Sequence, residues 1–188
     1  PPDHPRSLSL YFTDDSLFPE NMQPLIITAA PYGPEWLKGD CDDLPMSWDE
    51  QIQAAKDCYN AGATMLHVHV RDPKTGEGSS NFDQYNDMLG KLRAAVPKMI
   101  LQVGGSISFA PKDEGEAAKW LTDDTRHMLA DLNPAPDQVT IAINTNQMNV
   151  MELITDEDCA GTSMGEPDYK HAYTEMYYES GPGFVKEH

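Results

Sequence analysis

Two histidines stand one residue apart in the run TMLHVHV, residues 64–70, and Arg71 and Asp72 follow at once. If the run is a β-strand, His67 and His69 leave the same face with Cα atoms roughly 6.6 Å apart. Two imidazoles so placed can converge on one divalent ion, with zinc–nitrogen bonds of about 2.0–2.1 Å. Leu66, Val68 and Val70 then point to the other face, where parallel strands pack against helices. The alternative reading is a pair of core histidines hydrogen-bonded to backbone. Two at this spacing, with an Arg-Asp pair directly behind them, favour zinc ligands. A catalytic zinc needs a third protein ligand and an open position, and the 188 residues contain no obvious third ligand. Arg71 shares the inward face and is a candidate to pair with a substrate carboxylate. Asp72, next to Pro73, reads as turn chemistry.

The elements that would carry these residues alternate regularly. PLIITAA (24–30) is a short apolar run closed by Pro31 and Gly33, as expected of a buried strand. Ser47 and Glu50 have the spacing of a capping box, Trp48, Ile52, Ala55 and Tyr59 recur at helical spacing, and Gly62 suits the helix exit. The histidine strand follows. A second helix is predicted from Phe82 to Val96, with Phe82, Tyr85, Leu89, Leu92 and Val96 on one stripe. MILQV (99–103) is the third strand, Thr122 is placed to cap a helix carrying Met128, Leu129 and Leu132, and QVTIAIN (138–144) is the fourth strand. Apolar strands separated by amphipathic helices mean parallel βαβ units, an α/β fold. Four such units leave an open sheet, whereas a closed (β/α)8 TIM barrel needs about eight. The expectation is therefore the first half of a TIM-barrel catalytic domain over 24–188, preceded by an extended arm over 1–23. The stretch 150–180 breaks the period and is expected to form a long loop on the active-site side, with GPGFVKEH as the first turn of a fourth helix.

Composition narrows the function classes. Apolar residues make up 39% of the chain and aromatics 9%, a globular composition. Thirteen Lys and Arg against 31 Asp and Glu give a formal charge of −18, which argues against nucleic-acid and membrane-surface partners. An acidic surface still permits an anionic substrate where a bound cation dominates the local field. No apolar run is long enough to span a bilayer. Cys41, Cys58 and Cys159 are widely spaced, which points to reduced thiols in a cytoplasmic protein, with core packing as the role of Cys58. His127 and His171 have no partner at a useful spacing and read as structural.

TAAPYGPEW, SWDEQ with AGATMLHVHVRDPKTGEG, MILQVGGS and PDQVTIAIN occur in the order and spacing of the β-keto acid cleavage enzymes, the family that includes the 3-keto-5-aminohexanoate cleavage enzymes. The chain resembles that family over about 24–149 and again at 181–188, most specifically in the AGA-x-x-x-H-x-H-x-R-D block. The resemblance implies a TIM barrel that binds Zn2+ through His67, His69 and a glutamate late in the barrel, outside this chain, as is the acid/base residue. It implies a transferase that takes a β-keto acid and acetyl-CoA to acetoacetate and an acyl-CoA, working as a homo-oligomer. Glu35 matches a family glutamate at the substrate's distal end, and Thr140 a threonine lining the pocket. Where many members have Ser-Thr-Gly-Gly after the third strand, this chain has Gly104-Gly105-Ser106. Ser106 is the candidate to replace the usual serine, and the glycines could let backbone N–H groups approach a carboxylate or thioester oxygen. Two rivals remain: a metal-dependent TIM-barrel hydrolase of the amidohydrolase kind, and a non-catalytic assembly module. In the hydrolases a His-x-His motif usually belongs to the first strand, whereas here PLIITAA precedes it.

Overall fold

The computed structural model describes residues 25–33, 36–104, 126–140, 146–174, 176–178 and 182–187. Four parallel strands form one sheet: β1 (Thr28–Ala29), β2 (Met65–Val68), β3 (Ile100–Val103) and β4 (Gln138–Val139). Their spatial order follows their chain order. A doubly wound sheet would reverse direction at a switch point, so sequential neighbours are the arrangement of barrel strands.

Two helices cover one face of the sheet. The first, α1 (Trp48–Asn60), starts as its sequence dictates. The Ser47 hydroxyl accepts from the Glu50 amide, and the Glu50 carboxylate accepts from the amides of Ser47 and Met46. Gly62, at φ 99°, turns the chain out of the helix in the left-handed region that a side chain would resist. The second, α2 (Phe82–Ala95), is capped by Asn81, whose side chain accepts from the Gln84 amide. Its inner stripe is Tyr85, Met88, Leu89 and Leu92, all buried, and burial pushes the Tyr85 phenol pKa up. These side chains pack against Leu66, Val68, Val70, Leu101 and Val103 to form the main core. Full burial of a Val, Leu or Met is worth roughly 1.5–3 kcal/mol, so this layer holds the strands in register. Cys58 packs at its margin, in the role expected of it. Asp137 pins the entry to β4: its carboxylate accepts from the Leu101 amide at 2.9 Å and from Arg93 at 2.7 Å, and these bonds lower its pKa.

Two expectations need correction, and a third holds with a changed end. The first strand is not a buried seven-residue run. Among the described residues Thr28 and Ala29 pair with β2, and Leu25, Ile26 and Ile27 are exposed; an apolar run alone does not say which of its sides is covered. The helix expected around Met128 is present: Arg126 and His127 are α-helical, and the helix tightens to a 3-10 turn over Met128–Asp131 ahead of Pro134 and Pro136, which cannot continue an α-helix. Leu129 and Leu132 are buried as expected, while Thr122 lies outside the described residues. The aperiodic stretch after β4 is a folded unit: 3-10 turns at Val150–Glu152 and Ser163–Gly165, α3 (Asp156–Cys159), α4 (Pro167–Thr174) and an antiparallel pair β5 (Asn146–Met148) with β6 (Met176–Tyr178). Cys159, Met164, Ala172 and Tyr173 form its own small core, against which Trp36, Met151, Ile154 and Tyr169 pack. Its elements are too short to show a period. Beyond it α5 (Pro182–Glu187) is helical, as GPGFVKEH implied.

Candidate metal centre

Parallel register lines up the polar residues of three strands in rows. His67 on β2 is the register partner of Gln102 on β3, and Gln102 of Gln138 on β4. One step toward the C-terminal ends, the Gly104 amide donates to Val68 O and the Thr140 amide to Val103 O, both at 3.0 Å. The alignment therefore continues through His69, Gly104 and Thr140. Leu66, Val68, Leu101 and Val103 alternate to the opposite face, with no accessible surface. The histidines thus occupy the face opposite the helices, as the alternation of the sequence required.

The imidazoles converge. Their Nε2 atoms lie 3.0 Å apart, with the rings edge to face at 69° and centroids 4.9 Å apart. Two nitrogens bound at about 2.0–2.1 Å to one tetrahedral ion would stand about 3.3 Å apart, so a small movement suffices. Gly104 makes room for this arrangement. A Cβ there would come within 2.6 Å of His69 Nε2 and 3.0 Å of His67 Nε2, and closer still to His69 Cε1. The space beside both Nε2 atoms exists because position 104 has no side chain. The donor set and this cradle fit a divalent ion such as zinc. Among the described residues, no further His, Cys, Asp or Glu completes a set of three.

Gly104 is therefore not the carboxylate-binding backbone donor considered above: its N–H is engaged by Val68 O, and its smallness serves the imidazoles instead. Gly105 and Ser106 lie outside the described residues, as does Glu35. Thr140 is half-buried on the same face as the histidines. Arg71 has no accessible surface, and its guanidinium donates to the carbonyls of Gly33 (2.6 Å), Trp36 (2.8 Å) and Gly76 (2.8 Å). It fastens the chain on either side of Pro34 and Glu35 to the loop after β2. Asp72 does make a turn: one carboxylate oxygen accepts from the amides of Lys74 and Thr75, the other from Gln84 Nε2, and these bonds lower its pKa. Trp48 at the start of α1 donates its indole N–H to Arg71 O at 2.7 Å.

The sequence reading missed Gln102 and Gln138. His67 Nδ1 lies 2.7 Å from Gln102 Oε1, and Gln102 Nε2 donates to Gln138 Oε1. A signal was available: each glutamine is two residues before another inward position, Gly104 or Thr140, and so stands on the histidine face of an otherwise apolar strand.

A family model described as beta-keto acid cleavage enzyme matches residues 24–188. The chain belongs to that family. Among curated relatives, the 3-keto-5-aminohexanoate cleavage enzyme of Acetoanaerobium sticklandii is 31% identical over 94 residues, 49% of this chain and 34% of that protein. The 3-oxoadipate:acetyl-CoA acetyltransferase of Cupriavidus necator is 36% identical over 95 residues, 50% of this chain and 33% of that protein. The 3-dehydrocarnitine:acetyl-CoA trimethylamine transferase of Rhizobium meliloti is 28% identical over 89 residues, 45% of this chain and 30% of that protein. The matched part of the chain thus spans about a third of the length of these relatives. Among solved structures, ObcA in a ternary complex with a C4-CoA adduct and oxalate aligns with 77% of this chain and 28% of its own, at a TM-score of 0.47 and 15% identity.

Proposed function

We propose that this beta-keto acid cleavage family chain carries the two-histidine side of a zinc site in a (β/α)8-barrel acyltransferase, which converts a β-keto acid and acetyl-CoA to acetoacetate and a new acyl-CoA. The observation that supports this most directly is the pair of Nε2 atoms 3.0 Å apart beside the side-chain-free Gly104, at the C-terminal ends of parallel strands. The names of the relatives, two of which specify acetyl-CoA, supply the reaction class.

The stoichiometry balances without oxidation or reduction. The keto acid R–CO–CH2–COO− loses the bond between its ketone carbon and its CH2. The CH2–COO− unit gains a bond to the acetyl carbon of acetyl-CoA, and R–CO takes over the CoA sulfur. One carbon–carbon bond and one thioester break, and one of each forms. When bound, a zinc ion supplies Lewis-acid polarisation of the ketone and stabilisation of enolate charge.

The chain's own residues hold and orient. His67 and His69 are the metal ligands, joined in the family by a glutamate late in the barrel, where the acid/base residue is also expected. Thr140, in the same row as His69 and Gly104, lines the substrate side. Glu35 and Ser106 are assigned to substrate, and a carboxylate at position 35 would favour a keto acid with a cationic distal end. Arg71 contributes by bracing Gly33 and Trp36 around Glu35. Self-association into a homo-oligomer is part of the proposal. No helix among the described residues is long and apolar enough to cross a membrane.

The test is turnover of a β-keto acid by the complete protein with and without acetyl-CoA, alongside metal content and a His67→Ala control. Acyl-CoA formed only with the thioester, and only with metal bound, is the expected result. Keto acid consumed equally without acetyl-CoA would favour a hydrolase, a reading already disfavoured by the histidines standing on the second strand. Full metal stoichiometry in His67→Ala would defeat the ligand assignment.

A further inference from the structure

A neutral imidazole carries one N–H and one lone pair, and only the nitrogen with the lone pair can bind a cation. For His67 Nε2 to face an ion, the ring proton must sit on Nδ1 and needs an acceptor there. The atom 2.7 Å from Nδ1 is Gln102 Oε1. An amide alone settles nothing, because by turning over it would present NH2 and stabilise the opposite tautomer. In the structure Gln138 Oε1 accepts from Gln102 Nε2, which leaves the Gln102 oxygen facing His67. The three side chains are register partners on adjacent strands, at the strand spacing of about 4.8 Å, and their contact follows from the sheet itself.

We propose that Gln102, oriented by Gln138, is the positioning residue that fixes His67 as the Nδ1–H tautomer and so reserves Nε2 for the metal. The proposal rests on the zinc reading above and adds to it a role for two residues outside the ligand set. Histidine ligands commonly donate their second N–H to a carboxylate, a carbonyl or water, and removing such a partner typically costs 10- to 100-fold in metal affinity. In this chain a side-chain amide takes that place. The acceptor is neutral, so its orientation must be imposed, and the hydrogen bond to Gln138 imposes it. The His69 N–H then has a matching acceptor in the metal-free protein, since His67 Nε2 presents its lone pair 3.0 Å from His69 Nε2.

The experiment is a Zn2+ competition titration against a chromophoric chelator on the complete protein, with the His67 tautomer read from ring 15N shifts in the metal-free state. Gln102→Leu, similar in size and with no acceptor, is expected to lower zinc affinity about 10- to 100-fold and to lose the Nδ1–H signature. Gln138 stands on the face opposite the apolar layer, so substitution there leaves that layer intact. Gln138→Leu should weaken binding by less and give a mixture of tautomers, whereas Gln138→Glu, which keeps an acceptor for Gln102 Nε2, should restore the single Nδ1–H tautomer. Zinc bound equally by the parent and by Gln102→Leu, with His67→Ala defective, overturns this proposal and leaves the metal site standing. A parent protein that takes up no zinc overturns both. An unchanged His67 tautomer in both leucine variants also overturns it.

Discussion

The sheet that carries the histidines and the compact segment after it are held by different means. β2, β3 and β4 lie on a continuous apolar layer, with Leu66, Val68, Leu101 and Val103 sealed against Tyr85, Met88, Leu89 and Leu92. Among the described residues the 146–174 segment has Cys159, Met164, Ala172 and Tyr173 in its core, and it is joined to the loop after β1 by the packing of Trp36 and by polar contacts to Asp40. The Asp40 carboxylate accepts from the Ser163 amide and hydroxyl, both at 2.6 Å, and from the Leu37 amide at 2.7 Å. A large apolar layer imposes register, and register aligns His67 with Gln102 and Gln138. A small core with point contacts can hold a segment in place without setting its position so finely. The proposed metal ligands stand on the first kind of structure, which suits a site that must hold two nitrogens within a few tenths of an ångström.

The contrast can be broken at its sharpest point by Gly104→Ala. The added Cβ meets both imidazoles, and the expected result is loss of zinc binding by at least about 100-fold, comparable to losing a ligand's supporting shell entirely. Chelator competition measures it, and near-normal affinity would mean that the rings have another arrangement. Next in size is Leu66→Ala, expected to cost about 2–5 kcal/mol, seen as a lower midpoint for the whole sheet in denaturant. Met164→Ala, in the smaller core, should instead open 150–174 to protease while leaving that midpoint nearly unmoved. A common loss in both variants would show that the two regions unfold as one.

Asp40→Ala removes the tether, at about 1–3 kcal/mol, and should speed hydrogen exchange of the Ser163 amide without changing exchange in β2 and β3. The same contact carries a pH dependence. Burial raises the Asp40 pKa, but the hydrogen bonds from Ser163 and Leu37 and the Arg71 charge outweigh it and leave the carboxyl below its ordinary value of 3.8. A group lowered by folding adds stability that is fully present above its unfolded pKa. The tether should therefore hold at neutral pH and be lost only as pH falls below about 3.8 through the folded value; exchange at Ser163 that speeds up already near pH 6 would contradict it. Smallest is Ser47→Ala, which removes one half of the α1 capping box and should cost about 0.5–2 kcal/mol in thermal melts, with zinc affinity unchanged.

Most of the sheet region was legible in the sequence because its signals are periodic. Alternation in TMLHVHV set the histidines apart from Leu66, Val68 and Val70, the Ser47–Glu50 spacing predicted the start of α1, and the expected α2 stripe is buried at Tyr85, Leu89, Leu92 and the capping Val96, with Met88 added, while Phe82 is exposed. The exposed Leu25, Ile26 and Ile27 were misread because an apolar run does not reveal whether both of its sides are covered. The short helices of 150–174 fall below the length at which a period can be recognised.

By itself, the sequence determined the strand–helix alternation, the shared face of His67 and His69, and the family block around them, since each depends on spacing along one chain. Tertiary structure alone decided which residues of different strands meet. Register between β2, β3 and β4 brought Gln102 to His67 and Gln138 to Gln102, placed Gly104 where a side chain would strike both rings, and turned the Arg71 guanidinium onto three backbone carbonyls. Pairing across strands depends on how the whole apolar layer packs, and no local pattern of residues encodes it.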